Sequence, residues 1–439
     1  MADRGRIIVP MAKTSQQKTS AKNRPRTTRR PQQTKRAMRR KATRPRNNII
    51  LIGIVGVIVI AAAVIAYILY NNHLAAVNAA NAQAAAHAYA AGTSAGVMFG
   101  FNPQHTGFNP YERVLNTSDV AQLQQDWSIT TGGEINTSPA VINGVVYTGS
   151  GNHKLYAVDA ASGKIRWTIT LGNVISCSPA VANGIVYAGS YNDKFYALDA
   201  ATGQTRWSVS IGGSSSSSPV VVNGVVYVGS LAGNLYALDA ATGKIRWTFS
   251  TGVPINSSPA VANGMVFFGS NDSKIYALDA NSGKSLWTVA TGSPINSSPA
   301  FSNGKVYIGS GDQKLYALDA PTGNILWTVK TGDAIESSPA VANGVVYVGS
   351  DDHKLYAIDA NTGTIHWTAT TGDKIQSSPL VADGIVYIGS DDDKIYAFDA
   401  GSGNNLWNST LGNAIVSSPA VANGVVYVGS DDGKLYAFH

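Results

Sequence analysis

Tryptophan stands at 127, 167, 207, 247, 287, 327, 367 and 407, at a constant interval, and the chain holds no other. Ser-Pro pairs keep the same interval from Ser138-Pro139 to Ser418-Pro419 without insertion or deletion. SSPAVANGVVYVGSDDHKLYA at 337–357 and SSPAVANGVVYVGSDDGKLYA at 417–437 differ only at His353 versus Gly433. A unit of this length cannot bury an apolar face alone, so its neighbours must cover it. The repeat therefore constrains the fold more than composition does.

Inside one unit, PAVANG, VVYVGS, KLYAID and TIHWTAT are short apolar or alternating runs. Asn-Gly, SDDxK and DAxTG turns separate them, and Asn-Gly favours a tight hairpin because both residues accept positive φ. Nothing in the unit has a helical period, which excludes a helical repeat. Four antiparallel strands in every unit predict an all-β, eight-bladed β-propeller of four-stranded blades. The chain stops at KLYAFH, three strands into the eighth unit, while QLQQDWSIT (122–130) is a Trp strand lacking its predecessors. The N-terminal strand is thus expected to complete the last blade and leave no free edge.

The first hundred residues differ in kind. Residues 1–46 hold 16 of the 33 Lys and Arg but one of the 26 acids, Asp3, so a tail of +15 precedes a body of −8. Residues 1–48 lack the apolar content to fold and read as a disordered basic tail. IILIGIVGVIVIAAAVIAYILY (49–70) has no charge, and as a helix it spans roughly 33 Å, enough for a bilayer core of about 30 Å. The long basic flank favours a retained single-pass anchor over a cleaved signal peptide. It places the N-terminus in the cytoplasm and the body outside it, in the cell envelope. The tail has no aromatic residue, so orientation and anionic lipid, not nucleic acid, are its expected partners. Residues 71–118 are an Ala-rich spacer and lead-in, and 119–439 the propeller. His73 and His87 stand alone in the spacer.

AVDAASGKIRW (157–167), ALDAATGQTRW (197–207) and ALDAATGKIRW (237–247) share the pattern Ala-x-Asp-x-x-Thr/Ser-Gly-x-x-x-Trp. This resembles the tryptophan-docking motif of the eight-bladed quinoprotein propellers, the pyrroloquinoline quinone (PQQ) repeat family, over residues 101–439. The resemblance implies that Trp127, Trp167, Trp207, Trp247, Trp287, Trp327, Trp367 and Trp407 dock on neighbouring blades. Their platforms would be Gly163, Gly203, Gly243, Gly283, Gly323, Gly363 and Gly403. Asp159 and its equivalents are expected to cap the turn before each glycine.

The family's dehydrogenases hold PQQ and calcium with a further Trp, a disulfide of adjacent cysteines and long insertions. This chain has no ninth Trp, no insertion and one cysteine, Cys177, where other repeats carry Ser or Thr. No catalytic residue and no cofactor are expected. At the blade entrances stand Asn136, Ser176, Ser216, Asn256, Asn296, Glu336, Gln376 and Val416. Glu336 with Asn296 and Asn256 is a calcium candidate that supplies part of the six to eight oxygens calcium needs. Asp351, Asp352, Asp391, Asp392, Asp393, Asp431 and Asp432 lie in the SDDxK turns of three successive blades and, with Glu336, are the partner-binding candidates. His153 and His353 share a repeat position five blades apart, too far for one metal site.

The expected function is a membrane-anchored, non-catalytic scaffold that binds protein partners on its loop face. It resembles the β-barrel assembly scaffold propellers but uses a helix as its anchor. A quinone-dependent dehydrogenase or quinone binder, and a transmembrane sensor, are the alternatives.

Overall fold

The computed structural model describes residues 98–112 and 114–439, within a compact unit of residues 75–439. The basic tail, the apolar run 49–70 and most of the spacer lie outside the described residues. Among the described residues no helix is long and apolar enough to cross a membrane.

Eight antiparallel sheets of four repeat strands follow one another. Blade 1 comprises Ala140–Ile142, Val145–Gly149, Lys154–Asp159 and Ile165–Thr170. Blades 2 to 7 repeat it at the interval of the tryptophans, and each first strand packs beside the first strands of its neighbours, around the axis. Blade 8 takes Ala420–Ala422, Val425–Gly429 and Lys434–Phe438 from the C-terminus, and Gln125–Thr130 joins it as the outer strand. Trp127 there pairs with Ala437. The closure expected from the two chain ends is what forms.

Second and third strands are buried on both faces, because blade packs against blade, and their runs (VVYVG, KLYAID) are accordingly apolar throughout. Outer strands alternate exposed and half-buried positions. Closing the ring removes the ends of the wheel, yet each blade's outer strand still turns one edge to solvent, a correction to the edge-free expectation. In every blade a one-residue register shift beside the Trp kinks that edge. Bulges of this kind discourage edge-to-edge pairing.

Three contact systems recur around the ring. At the outside, every Trp Nε1–H donates across a seam at 2.8–3.4 Å, to the Ala160, Ala200, Ala240, Ala280, Ala320, Ala360 and Ala400 carbonyls in turn. Trp407 donates instead to Leu123 of the lead-in, which takes the place of an eighth docking turn. The indole lies so close to the next blade that a Cβ on Gly163 would meet Trp127 at 2.8 Å, and Gly163 also has φ +68°. Only glycine fits there. Asp159 accepts from the Ser162 N–H and hydroxyl and from Arg166, which hold its carboxyl down at about 2. It is the turn cap expected from the motif.

Nearer the axis, the residue before each Ser-Pro serine accepts the N–H of the glycine closing the second strand. Cys177 Sγ does this for Gly189 at 2.9 Å as Ser257 does for Gly269 at 3.0 Å. Cys177 is a buried stand-in for serine, and burial pushes its thiol up to about 12.

Innermost is a closed circuit that the sequence analysis did not foresee. The N–H of each Ser-Pro serine donates to the hydroxyl of the next blade's: Ser138 to Ser178, Ser178 to Ser218, and onward to Ser378 to Ser418. Ser418 then returns to Ser138 at 3.1 Å.

Candidate functional site: the loop face and the plugged channel

The middle residue of each first strand points its N–H and C=O away from the second strand, toward the axis. In blades 4 to 7 these donors are taken by the chain's own lead-in. Val261, Phe301, Val341 and Val381 donate to the Pro103, Gln104, Thr106 and Gly107 carbonyls at 2.6–2.8 Å. Phe108–Asn109 then runs parallel to the first strand of blade 7. Asn109 Nδ2 donates to the Val421 carbonyl of blade 8, and the buried Glu112 carboxylate accepts from Gly424 N–H. Met98, Phe99 and Phe101 face the Ser-Pro segments of blades 7, 8 and 1 across a cavity of about 50 Å³. That is room for a water or two, where a typical cofactor site offers roughly 300 Å³ or more.

At one end of the channel, the turn between second and third strands meets the entrance to each blade, as the sequence indicated. The second acid of each SDDxK turn is spent on this junction. Asp352 accepts from Gly332 N–H at 2.7 Å, from Lys354 N–H at 3.1 Å and from the Tyr356 hydroxyl. Asp392 and Asp432 receive the same tyrosine and lysine donors. Asn152 and Asn192 occupy this position in blades 1 and 2 and bond Tyr156 and Tyr196. Asp352, Asp392 and Asp432 therefore serve as turn staples. Asp393 adopts φ +66° and contributes its carbonyl to Leu411 N–H, a turn role as well.

The first acid behaves differently. This position reaches the next blade's entrance, as Tyr191 shows by bonding Ser216 at 2.8 Å. Asp351 is only 8 % exposed; Lys374 approaches its Oδ2 at 3.3 Å, while its Oδ1 has no hydrogen bond. The Oδ1 atoms of Asp391 and Asp431 are likewise buried without a partner. Burial raises all three carboxyls; for Asp351 it outweighs the Lys374 bridge. Asp391 is raised further by Asp373 and Asp351, and Asp431 reaches about 6 with Glu134, Asp391 and Asp432 adding to burial. At the same position blades 1 to 5 carry Gly151, Tyr191, Leu231, Asn271 and Gly311. The acid is thus confined to an arc over blades 6, 7 and 8, continued by Glu134 at the entrance to blade 1.

Glu134, Asp333 and Asp373 joined this arc without being singled out from the sequence. The signal was there, since only the entrances TGGEIN, TGDAIE and TGDKIQ carry acids.

At the lip, Asn256, Asn296 and Glu336 do come together: Asn256 Nδ2 donates to Asn296 Oδ1 at 3.0 Å, and Asn296 Nδ2 to Glu336 Oε1 at 3.4 Å. The amides spend themselves on one another, leaving one carboxylate where calcium would need a shell of oxygens. Among the described residues no three His, Cys, Asp or Glu are grouped to hold a metal. The SSSSS entrance is structural too: Ser215 replaces the buried isoleucine of other entrances and donates to the Gly229 carbonyl, and Ser218 belongs to the inner circuit.

Residues 271–381 and 358–439 match the family model described as outer membrane protein assembly factor BamB, a member of the PQQ-repeat group. Residues 110–320 match the propeller of beta-alanine-activating enzyme. Over these residues the chain is similar to the PQQ-repeat propellers. Solved structures agree on the fold. BamB of Moraxella catarrhalis is 22% identical with a TM-score of 0.64, covering 72% of this chain and 99% of its own. The quinohemoprotein alcohol dehydrogenase of Comamonas testosteroni is 16% identical at 0.69, covering 78% and 80%. The computationally designed Ika8 protein is 17% identical at 0.64, covering 71% and 97%. No curated protein matches the chain in sequence. One fold serves an assembly factor, a dehydrogenase and a designed molecule, so the function of this eight-bladed propeller must be argued from its own site.

Proposed function

We propose that this eight-bladed propeller is a non-catalytic scaffold, held at the cytoplasmic membrane by residues 49–70, with residues 1–48 in the cytoplasm and the propeller outside it. Its loop face holds a protein partner. The observation that carries this reading is the arc of Asp351, Asp391 and Asp431, whose Oδ1 atoms are buried without a partner; Lys374 bridges Asp351 and reaches Asp391 only through space, and no cation acts on Asp431. Uncompensated charge at a rigid rim costs the free protein stability and is recovered when a cation arrives. The partner surface is therefore basic, a run of Lys or Arg. The likeness to BamB supports a partner-holding role in kind.

No quinone or calcium is proposed. Supporting this, the lead-in fills the channel beside blades 4 to 7, and the lip amides bond each other. Adding the quinone and calcium to the full chain should give neither stoichiometric absorbance nor dye reduction; tight binding would overturn this part.

Crosslinking in the native membrane, followed by identification of captured proteins, tests the scaffold. Asp351→Asn, Asp391→Asn and Asp431→Asn together remove charge and keep shape. The triple variant should lower capture at least about tenfold, since each desolvated charge pair is worth roughly 1 kcal/mol or more. High salt should mimic it in the wild type. Undiminished capture by the variant would refute the acidic arc as the contact.

A further inference from the structure

His105 sits in the middle of the segment that fills the channel. It adopts φ +52°, is 2 % exposed, meets Phe99 edge-on at 5.4 Å, and neither ring nitrogen makes a hydrogen bond. Gly100 folds directly over it, where a Cβ would come within 2.8 Å of His105 Cβ. Against the ring stand Phe99 and Gly100 from its own segment and Pro299 from the entrance to blade 5, none of them titratable. No carboxylate, lysine or arginine from any neighbouring blade acts on it. Among the described residues, the other titratable groups of the lead-in, Tyr111 and Glu112, lie further along, where Glu112 is tied to Gly424 and Val114.

The segment has a firm end and a releasable one. Asn109 and Glu112 anchor it to blade 8. Upstream, the four main-chain bonds to blades 4 to 7 and the Gln104 amide on the Val261 carbonyl hold it in the channel. Neither the Trp seams nor the serine circuit passes through residues 98–109, so the wheel stays closed without them. We propose that residues 98–107 are an acid-released strap, with His105 as its latch: a proton on the imidazole drives the segment out of the channel while Asn109 and Glu112 stay anchored and the eight blades stay folded.

An imidazolium in this position has no solvent and no anion, and its two N–H donors face at most one carbonyl, that of Pro299. Burial lowers the ring to about 4, with the Pro299 carbonyl the one opposing influence. A released, solvated histidine titrates near 6.5. Between those values each pH unit multiplies the released population about tenfold. From pH 7 to 4.5 the rise is on the order of 50- to 100-fold. Release would re-expose the inward N–H groups of blades 4 to 7 and open the channel that the strap now closes.

Hydrogen exchange on the full chain in detergent micelles tests this. After correction for intrinsic rates, protection of the Val261, Phe301, Val341 and Val381 amides should fall roughly 50- to 100-fold between pH 7 and 4.5. Amides of second strands, such as Val346 and Val386, should hold theirs. His105→Asn keeps a residue that accepts positive φ but takes up no proton there, and should make strap protection independent of pH. That variant also separates an effect of His105 from one that arises at the rim carboxylates, which are raised by burial. Flat protection in the wild type, a parallel fall in the variant, or simultaneous loss in the second strands would each overturn the proposal. Should His105→Asn fail to fold, His105→Gly, which also accepts positive φ and takes up no proton, carries the same comparison.

Discussion

Asp431 and Asp432 are adjacent carboxylates with opposite tasks. Asp432 is consumed by Lys434 N–H and the Tyr436 hydroxyl, while Asp431 keeps a buried oxygen unpaired and titrates near 6. A carboxyl raised in the folded state binds protons that the unfolded chain, titrating near 3.8, has already released. Stability is then fully present below about 3.8 and declines as pH rises through about 6. Asp431→Asn removes this decline. At pH 7 the variant should be more stable than the wild type by roughly 1 kcal/mol once solvent screening is allowed for, and equal to it below about pH 4. Thermal melts of both proteins across that range check it. A variant less stable at pH 7 would mean that Asp431 is paired after all. At this scale the sequence was only half legible. It marked the acidic turns, but the roles of two neighbouring Asp residues depend on which N–H and O–H donors their own turn and entrance bring within reach.

At the scale of elements, blade and seam were readable because each rests on local chemistry. Asn143 and Gly144 take φ +52° and +70°, the hairpin that Asn-Gly announces, and the Trp–Gly spacing announces the seam. Less legible was the sharing of one acceptor. Each docking carbonyl can take two donors, and Ala280 receives both Trp247 Nε1–H and the Tyr227 hydroxyl. Blade 4 has Phe267 where other blades have tyrosine, so Ala320 receives Trp287 alone. Trp→Phe at either seam loses similar area, but only Trp287→Phe strands a carbonyl without a protein donor. An unsatisfied buried acceptor costs about 1–3 kcal/mol. Trp287→Phe should therefore be more destabilising than Trp247→Phe by roughly 1 kcal/mol or more, read from paired denaturant titrations. Equal losses would show that the tyrosine hydroxyl contributes nothing to the seam. The lead-in escaped sequence reading for the opposite reason. FNPQHTGFN has no strand period, and its main-chain hydrogen bonds go to four blades far along the chain, from Val261 to Val381, which no local pattern can display.

For the whole molecule, the serine circuit distinguishes a closed ring from a linear array. In a stack of repeats the terminal units lack a neighbour and contribute less. Here Ser258 accepts the N–H of Ser218 within the run of blades, and Ser138 accepts that of Ser418 across the point where the first and last blades meet. The two bonds are 2.9 and 3.1 Å long, and both hydroxyls are buried. Ser258→Ala and Ser138→Ala each leave one N–H without an acceptor, at about 1–3 kcal/mol. If the wheel is as tight at the junction as elsewhere, the two substitutions cost the same and both variants unfold in one cooperative step. A much smaller cost for Ser138→Ala, or an early transition reported by Trp127 fluorescence, would mean that blade 8 opens before the rest. Equality matters for function, because the acidic arc spans this junction: Asp431 belongs to blade 8 and Glu134 leads into blade 1. A partner bound there would add its own contacts on both sides of the closure, so the face that recognises it is also the place where recognition would hold the ring shut.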